Sequence, residues 1–468
     1  MLLSVLAATL LMPRHACAET LTLRGAMSEA ILRSAEVASA QARAAELGLE
    51  EPLLLADTDP RFEAALERAD DRSPRALPLF EGSRARVDRW SGGLAANTLL
   101  GTQARLRFEN ERLLSPTPFR LLDPSVESRL ALEVRQPLLR YLWGRPDKAR
   151  RGRFRSAALA AELRLRDARE RAAQSAAKAF VELYFAQRQR AVKSDGVDDA
   201  RRLLAKYEEK RRYGLAEESD LLQAKASLEV QETELLLADA QLARARHALA
   251  AALFRPASEP DAVSLEGAPP EAAGLEDEAL ERRADVASSL NELRAREWEE
   301  RIARLDALPE VSLNAAYTFA GLATRYGPAI GDMASWDHPV AAAGVSLAVP
   351  IGFKKERLTR RQAGLRTDAA RAEVERARTW GRRELRDARE TLALARRRLA
   401  AGSRLLELER KKFAAEESNF RRGRSSTDLL LRFQQDIRRA EIELRRAEAD
   451  EVAALVELAR AAGTLLAP

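Results

Sequence analysis

Two kinds of apolar spacing run along this chain. Three segments repeat every seven residues. The first row is Leu221, Leu228, Leu235, Leu242 and Leu249, with Ala224, Ala238, Ala245 and Ala252 interleaved. The second is Leu385, Leu392, Leu399, Leu406, Phe413 and Phe420, with Ala388, Ala395 and Gly402 between them. The third is Leu430, Ile437, Leu444, Leu458 and Leu465, beside Phe433, Ala440, Ala447, Ala454 and Ala461. A seven-residue seam predicts helices that supercoil on a partner, and large residues facing small ones allow close approach. Gln231 and Glu451 interrupt the seam, as do Glu409 and Glu416, which marks weaker packing.

The stretches 145–212 and 354–421 hold almost no Pro or Gly. Each predicts one helix of roughly 68 residues, about 100 Å long. Shorter helices are expected over about 22–48, 217–254, 276–306 and 426–464. Paired end to end, the shorter ones match the reach of the long ones.

The other spacing has period two. Ala104, Leu106 and Phe108 alternate with Arg105, Arg107 and Glu109, and Leu130, Leu132 and Val134 alternate with Arg129, Glu133 and Arg135. Val311, Leu313, Ala315, Tyr317 and Phe319 alternate with Ser312, Asn314 and Thr318, and Val345, Leu347 and Val349 follow near Ser346. These read as two strand pairs with one apolar and one polar face. That pattern suits outer-membrane strands, and an ordinary two-sided sheet shares it. Two hairpins cannot bury themselves, and four strands cannot close a barrel. Other subunits are therefore needed, and three copies would supply twelve strands. The connections near 115–125 and 321–339 read as exposed turns, 255–274 as a linker, and 50–88 as an insertion.

The chain also repeats itself at an offset of about 210 residues, the sign of a tandem duplication. Tyr213-Gly214 through Asp220-Leu221-Leu222 corresponds to Arg422-Gly423-Arg424 through Asp428-Leu429-Leu430. Pro137 and Pro350 close the alternating segments of the two halves. Gly214 and Gly423 fit left-handed helix ends, and Asp220 and Asp428 fall where helix N-caps are expected.

Composition agrees. Of 468 residues 32% are charged and only 5% aromatic, as in long helices rather than a compact core. The net charge is +6, but the 78 basic and 72 acidic residues are finely interspersed, which reads as solvated helix surface rather than a nucleic-acid footprint. Residues 2–11 form a short apolar run followed by Ala16-Cys17-Ala18, a secretion-signal pattern with cleavage after Ala18, although no positive charge precedes the run. Cys17 is the only cysteine; lipidation there is the other reading, and Arg14-His15-Ala16 before it fits that poorly. His15, His247 and His338 are scattered, and there is no catalytic constellation, metal-ligand spacing or phosphate loop. No enzyme activity and no cofactor are expected.

Taken in order, these segments resemble the TolC-like outer-membrane factor family. Leu21-Thr22-Leu23-Arg24-Gly25-Ala26 is similar to that family's first-helix entry. Gln136-Pro137-Leu138-Leu139 and Val349-Pro350-Ile351 resemble its strand-to-helix junctions. Arg283-Ala284-Asp285-Val286 and Leu308-Pro309-Glu310-Val311 resemble the lead into its second hairpin, and the Gly214 and Gly423 turns its two periplasmic tips.

The resemblance implies a mainly α protein with a small β part: duplicated long-helix hairpins plus two β-hairpins. Three chains would form a 12-stranded barrel in the outer membrane and a helical periplasmic tunnel. It implies docking on a periplasmic adaptor and, through it, on an inner-membrane pump, for efflux or type I secretion from a Gram-negative-type bacterium. Gly214, Asp220, Phe420, Gly423, Arg424 and Asp428 would form the adaptor contact and gate, with Pro137 and Pro350 as junctions. Leu431 stands where some members carry a second acidic residue after the tip aspartate.

The expected segments are 1–18 signal, 19–88 N-terminal helix and insertion, 89–141 first hairpin, 142–255 first helical hairpin, 256–306 linker and short helix, 307–353 second hairpin, and 354–468 second helical hairpin. The rival reading is a periplasmic adaptor or coiled-coil scaffold without a barrel, for which one helical hairpin and no paired alternating strands would be expected.

Overall fold

A computed structural model describes residues 21–74, 76, 85–115, 117, 120–214, 217–256, 263–265, 267–271, 280–422 and 424–466. The expected signal segment, Cys17 and Gly423 lie outside the described residues. The elements run β1 (Leu21–Thr22), α1 (Leu23–Arg33), α2 (Ala35–Gly48), α3 (Glu50–Ala56), β2 (Arg61–Asp71), β3 (Ala85–Asn97), β4 (Gln103–Leu114) and β5 (Ser125–Pro137). They continue with α4 (Arg145–Arg212), α5 (Glu218–Ala252), β6 (Val263–Ser264), α6 (Ala284–Asp306), β7 (Glu310–Ala323), α7 (Tyr326–Ala334), β8 (Pro339–Ala348), α8 (Lys354–Arg421) and α9 (Thr427–Ala461). Both long helices fall where the lack of Pro and Gly placed them. The chain divides into two compact units: residues to 42 with 162–287 and 375–468, and residues 43–161 with 288–374.

The first unit is helical, and its core is built from the heptad rows. Leu242, Leu249 and Leu253 of the α5 region pack with Ala173, Ala176, Ala177, Phe180 and Leu183 of α4. Leu23, Ala26 and Met27 of α1 and Val456 and Ala459 of α9 complete that cluster. Leu385, Ala388, Leu392 and Ala395 of α8 meet Ala454, Leu458 and Ala461 of α9. Where the row carries glycine the facing helix lies close: a Cβ on Gly402 would lie 3.6 Å from the Leu444 Cα. The polar breaks are accommodated individually. Gln231 is buried against Gly196, where an added Cβ would fall 2.7 Å from its Oε1. Glu409 pairs with Lys412, which also reaches Asp436 at 3.1 Å.

The Arg283-Ala284-Asp285-Val286 motif forms an ion knot in this unit. The Arg283 side chain is 5% exposed and lies 2.8 Å from Asp285 and 2.6 Å from Glu384. It also donates to the Ala461 carbonyl at 3.0 Å, so one guanidinium ties the start of α6 to α8 and to the end of α9. Burial alone would raise the Asp285 pKa; the facing guanidinium outweighs it and holds the carboxyl below its ordinary value.

The second unit carries one antiparallel sheet of order β2-β3-β4-β5-β7-β8. The two expected hairpins are present as β4–β5 and β7–β8. A third, β2–β3, joins a strand from the segment read as an insertion to one lying mostly in the segment assigned to the first hairpin, so among the described residues this sheet holds six strands rather than four. The expected 88/89 boundary falls inside β3. Helices join the sheet at one end: α3 before β2, α4 after β5, α6 before β7 and α8 after β8. At the opposite end lie the connections after β2, β4 and β7. The last of these is not a plain turn, because it contains α7.

Replacing Arg283 by Met should leave two acidic groups facing an apolar stem. The expected loss is about 2 kcal/mol, below the 3–5 kcal/mol of a fully buried pair because both carboxylates keep about a third of their surface in water. Since the Asp285 pKa is depressed, the wild-type contribution is present above the ordinary carboxylate range and is lost as pH falls below it. Thermal melting by circular dichroism at neutral pH and near pH 3 should show a wild-type–variant gap that narrows in acid.

Candidate functional site

Over its helix-joined half the sheet sorts its side chains by face across all six strands, while nearer the loops Arg68, Asp88 and Arg112 share the face of Phe62. One face aligns Phe62 with Leu94, Leu106, Leu132, Tyr317 and Ala341 in register. The next row aligns Ala64, Gly92, Phe108, Leu130, Phe319 and Pro339. These residues have no core to enter: Phe62 is 73% and Val345 70% exposed. An exposed apolar face this wide marks a surface that meets a partner or a membrane.

Toward the loop end the same face becomes aromatic. Trp90 stands 5.3 Å from Phe108 and 6.5 Å from Tyr326, and Phe319 stands 3.9 Å from Trp336. Helix α7 lies on this face, seated over Gly321, where a Cβ would fall 2.2 Å from the Ala329 carbonyl oxygen. Its neighbourhood buries Asn110 and Ser128, which bond to each other. At the helix-joined end stand Tyr141, the exposed Trp143 and Phe353. Aromatic residues thus stand at both margins of the apolar band, a pattern that membrane barrels also carry.

The opposite face is charged and crossed by ion pairs. Arg89 on β3 reaches Glu67 on β2 at 2.9 Å and Glu111 on β4 at 2.8 Å. Arg129 meets Glu127 at 2.6 Å, Arg135 meets Glu310 at 2.6 Å, and Arg105 meets Glu133 at 3.8 Å. Asn97, Arg105, Glu133, Arg135 and Asn314 line a hollow on this side. Each basic row is offset by acids, so the face is hydrophilic without a dominant sign.

The junction prolines sit where the strands stop. Pro137 is the last residue of β5 and is buried. Pro350 lies two residues beyond β8 and is exposed. Each is followed by a left-handed pair: Trp143 and Gly144 with φ 53° and 69°, Gly352 and Phe353 with φ 88° and 49°. Gly144 has a further constraint, since a Cβ there would lie 2.1 Å from the Leu99 carbonyl oxygen in the β3–β4 turn. The strand-to-helix redirection is thus the same device in both halves.

The two helical tips come together within the first unit. Gly214 has φ 68° and donates its N–H to the Arg211 carbonyl oxygen at 2.9 Å, the left-handed helix end expected. Asp220 and Asp428 are not caps. Glu217 and Ser426 hold the N-cap positions, and Ser426 Oγ accepts from the Leu429 N–H at 3.4 Å. Both aspartates lie instead in the first turn, where a carboxylate complements the helix dipole.

Asp428 accepts from Gln223 at 3.1 Å and pairs with Arg432 at 2.7 Å. Arg421 pairs with Glu417 on its own helix, and Arg422 turns back to Ser418, so neither reaches Asp428 within the chain. Arg424 is exposed at the turn. Phe420 is half-buried, with Lys210 6.0 Å from its ring centroid and 5.6 Å from that of Tyr207.

Sequence reading missed the residue that joins the tips. Tyr207 is buried against Leu221 and Ala224, and its hydroxyl bonds Thr427. Burial pushes its pKa up, and the Asp220 charge pushes the same way. Tyr207 is seven residues before Gly214, one heptad from the turn, and that spacing was the available signal.

No protein-family model matches the chain, and no curated protein matches it. Solved structures do. The CmeC outer membrane channel of Campylobacter jejuni is 15% identical, with 95% of this chain and 86% of that chain covered at a TM-score of 0.69. The open-state MtrE outer membrane channel of Neisseria gonorrhoeae is 18% identical over 95% and 89%, at 0.67. The outer membrane protein VceC of Vibrio cholerae is 16% identical over 94% and 96%, at 0.65. The chain has the TolC-like fold.

Tyr207→Phe should remove the bond to Thr427 and cost about 1 kcal/mol. Because burial raises the Tyr207 pKa, the stability of the buried neutral ring is complete below the ordinary value of 10.0 and is lost as pH rises through the elevated one. Limited proteolysis between 207 and 227 should accelerate in alkali for wild type and already be fast in the variant.

Proposed function

We propose that three copies of this chain form a channel through the outer membrane of a Gram-negative-type bacterium. It serves as the exit duct of a tripartite efflux pump or type I secretion system. The observation that carries this reading is the sheet: apolar and aromatic on one face, charged on the other, joined at one end to the helices. A sheet with those faces places hydrocarbon against one side and water against the other. The charged, hollow face then lines the bore, where balanced ion pairs keep it wetted without fixing strong selectivity.

The helices continue the conduit into the periplasm, and the paired tips close or open its lower end. Gly214, Asp220, Phe420, Gly423, Arg424 and Asp428 form the contact for a periplasmic adaptor, through which an inner-membrane pump supplies energy. The chain itself carries out no chemical step. Its work is to hold an aqueous path across an oil layer, and the pump selects what passes.

Purified protein in planar bilayers should give discrete conductance steps, and its mass in detergent should be that of three chains. A monomer that never enters the bilayer would overturn the proposal. Charge reversal at the tips, Asp428→Lys or Arg424→Glu, should raise the resting conductance several-fold by weakening the closed arrangement. Unchanged conductance in both would remove these residues from the gate while leaving the channel itself untouched.

A further inference from the structure

Among the described residues the sheet ends on each side in a strand with nothing beside it. β2 and β8 are the two edges, and both are exposed along their full lengths of 11 and 10 residues. Half the backbone donors and acceptors of an edge strand point outward. In hydrocarbon an unsatisfied backbone group finds no partner, so open edges do not survive there. Outer-membrane barrels start at eight strands, so six do not close one.

A second copy satisfies both edges. Five antiparallel pairings separate β2 from β8, so the two run in opposite directions with their apolar faces on the same side. The β8 of one chain can therefore add to the β2 of another as an ordinary antiparallel neighbour. Side-chain sizes fit as well. β8 presents Ala341, Ala342, Ala343 and Gly344, while β2 presents Phe62 and Leu66 on the apolar face and Glu63 and Glu67 on the charged one. The strand flush with small residues meets the strand that carries large ones. β4 cannot play this part, because β3 and β5 occupy its two sides.

We propose that β2 of each chain pairs head to tail with β8 of the next, and that the barrel closes with eighteen strands instead of twelve. The inference rests on the trimeric channel reading above. The hairpin β2–β3 is then part of the membrane wall and widens it. Eighteen strands at about 4.8 Å spacing and about 40° tilt give a backbone diameter of about 35 Å, against about 24 Å for twelve.

Cysteine pairing tests the closure. Cys17 is the only native cysteine, so in a Cys17→Ser background one cysteine is placed on β2 (Glu63→Cys) and one on β8 (Ala342→Cys, Gly344→Cys or Ser346→Cys). Oxidation in membranes should convert more than half of the chain to covalent dimers and trimers for at least one β8 position. Arg107→Cys on β4, combined with the same β8 cysteines, should give none. Cross-links from β8 to β4 but not β2 would overturn the proposal in favour of a twelve-strand wall. Absence of every cross-link in protein that still has the mass of three chains would also overturn it, with the channel reading intact. A monomer throughout would sink both. Electron cryomicroscopy of the unsubstituted protein in lipid nanodiscs counts the strands directly: eighteen agrees and twelve refutes.

Discussion

On the proposed channel reading, backbone hydrogen bonding in a medium that offers none governs this protein. Water satisfies an open sheet edge; hydrocarbon does not. The six-stranded sheet has a face fit for lipid and two edges unfit for it. On that reading the single chain is an incomplete object. Everything else in the structure can be seen as serving the placement of that sheet. The left-handed pairs Trp143-Gly144 and Gly352-Phe353 turn each outgoing strand into a long helix within a few residues. Alanine-rich helix surfaces then allow neighbouring helices to lie close, as the Gly402–Leu444 and Gly196–Gln231 approaches illustrate.

Charge is used differently in the two units. On the sheet, ion pairs such as Arg89 with Glu67 and Glu111 stay partly in water. They contribute little stability and mostly keep a surface wettable while cancelling its net sign. In the helical unit, Arg283 is buried and makes three ties at once. There the arginine fixes where three helices meet, a role that fits the Arg283-Ala284-Asp285-Val286 motif better than any chemistry does. At the tips, the Tyr207–Thr427 bond and the Gln223–Asp428 bond join the two halves of the duplication, so the paired turns act as one structure.

Much of this was legible in the residues. The long helices were, because a stretch without Pro or Gly and with heptad leucines has few alternatives. Four strands were, because Leu106, Phe108, Leu130 and Leu132 alternate cleanly with charge. The hairpin β2–β3 was not. On its apolar face Arg68 pairs with Asp88 at 2.5 Å, and Gly92 leaves a gap in the row, so the period-two signal breaks although the strand does not. Helix α7 was hidden by Gly327, Pro328 and Gly331, residues that ordinarily mark a turn. The caps were displaced for a related reason: Asp220 and Asp428 have cap chemistry, but Glu217 and Ser426 already hold the extended backbone before each helix. Sequence pattern reports which face a residue serves; it reports poorly where a cross-strand partner has substituted for apolarity.

Hydrogen exchange of the protein in lipid nanodiscs probes the edges most directly. With a shared wall, the amides of β2 and β8 are protected for hours, like those of the interior strands β4 and β5. Exchange within seconds along β2 or β8, beside a protected β4, would mean that an edge stays open, and the chain would then not be a segment of a closed barrel.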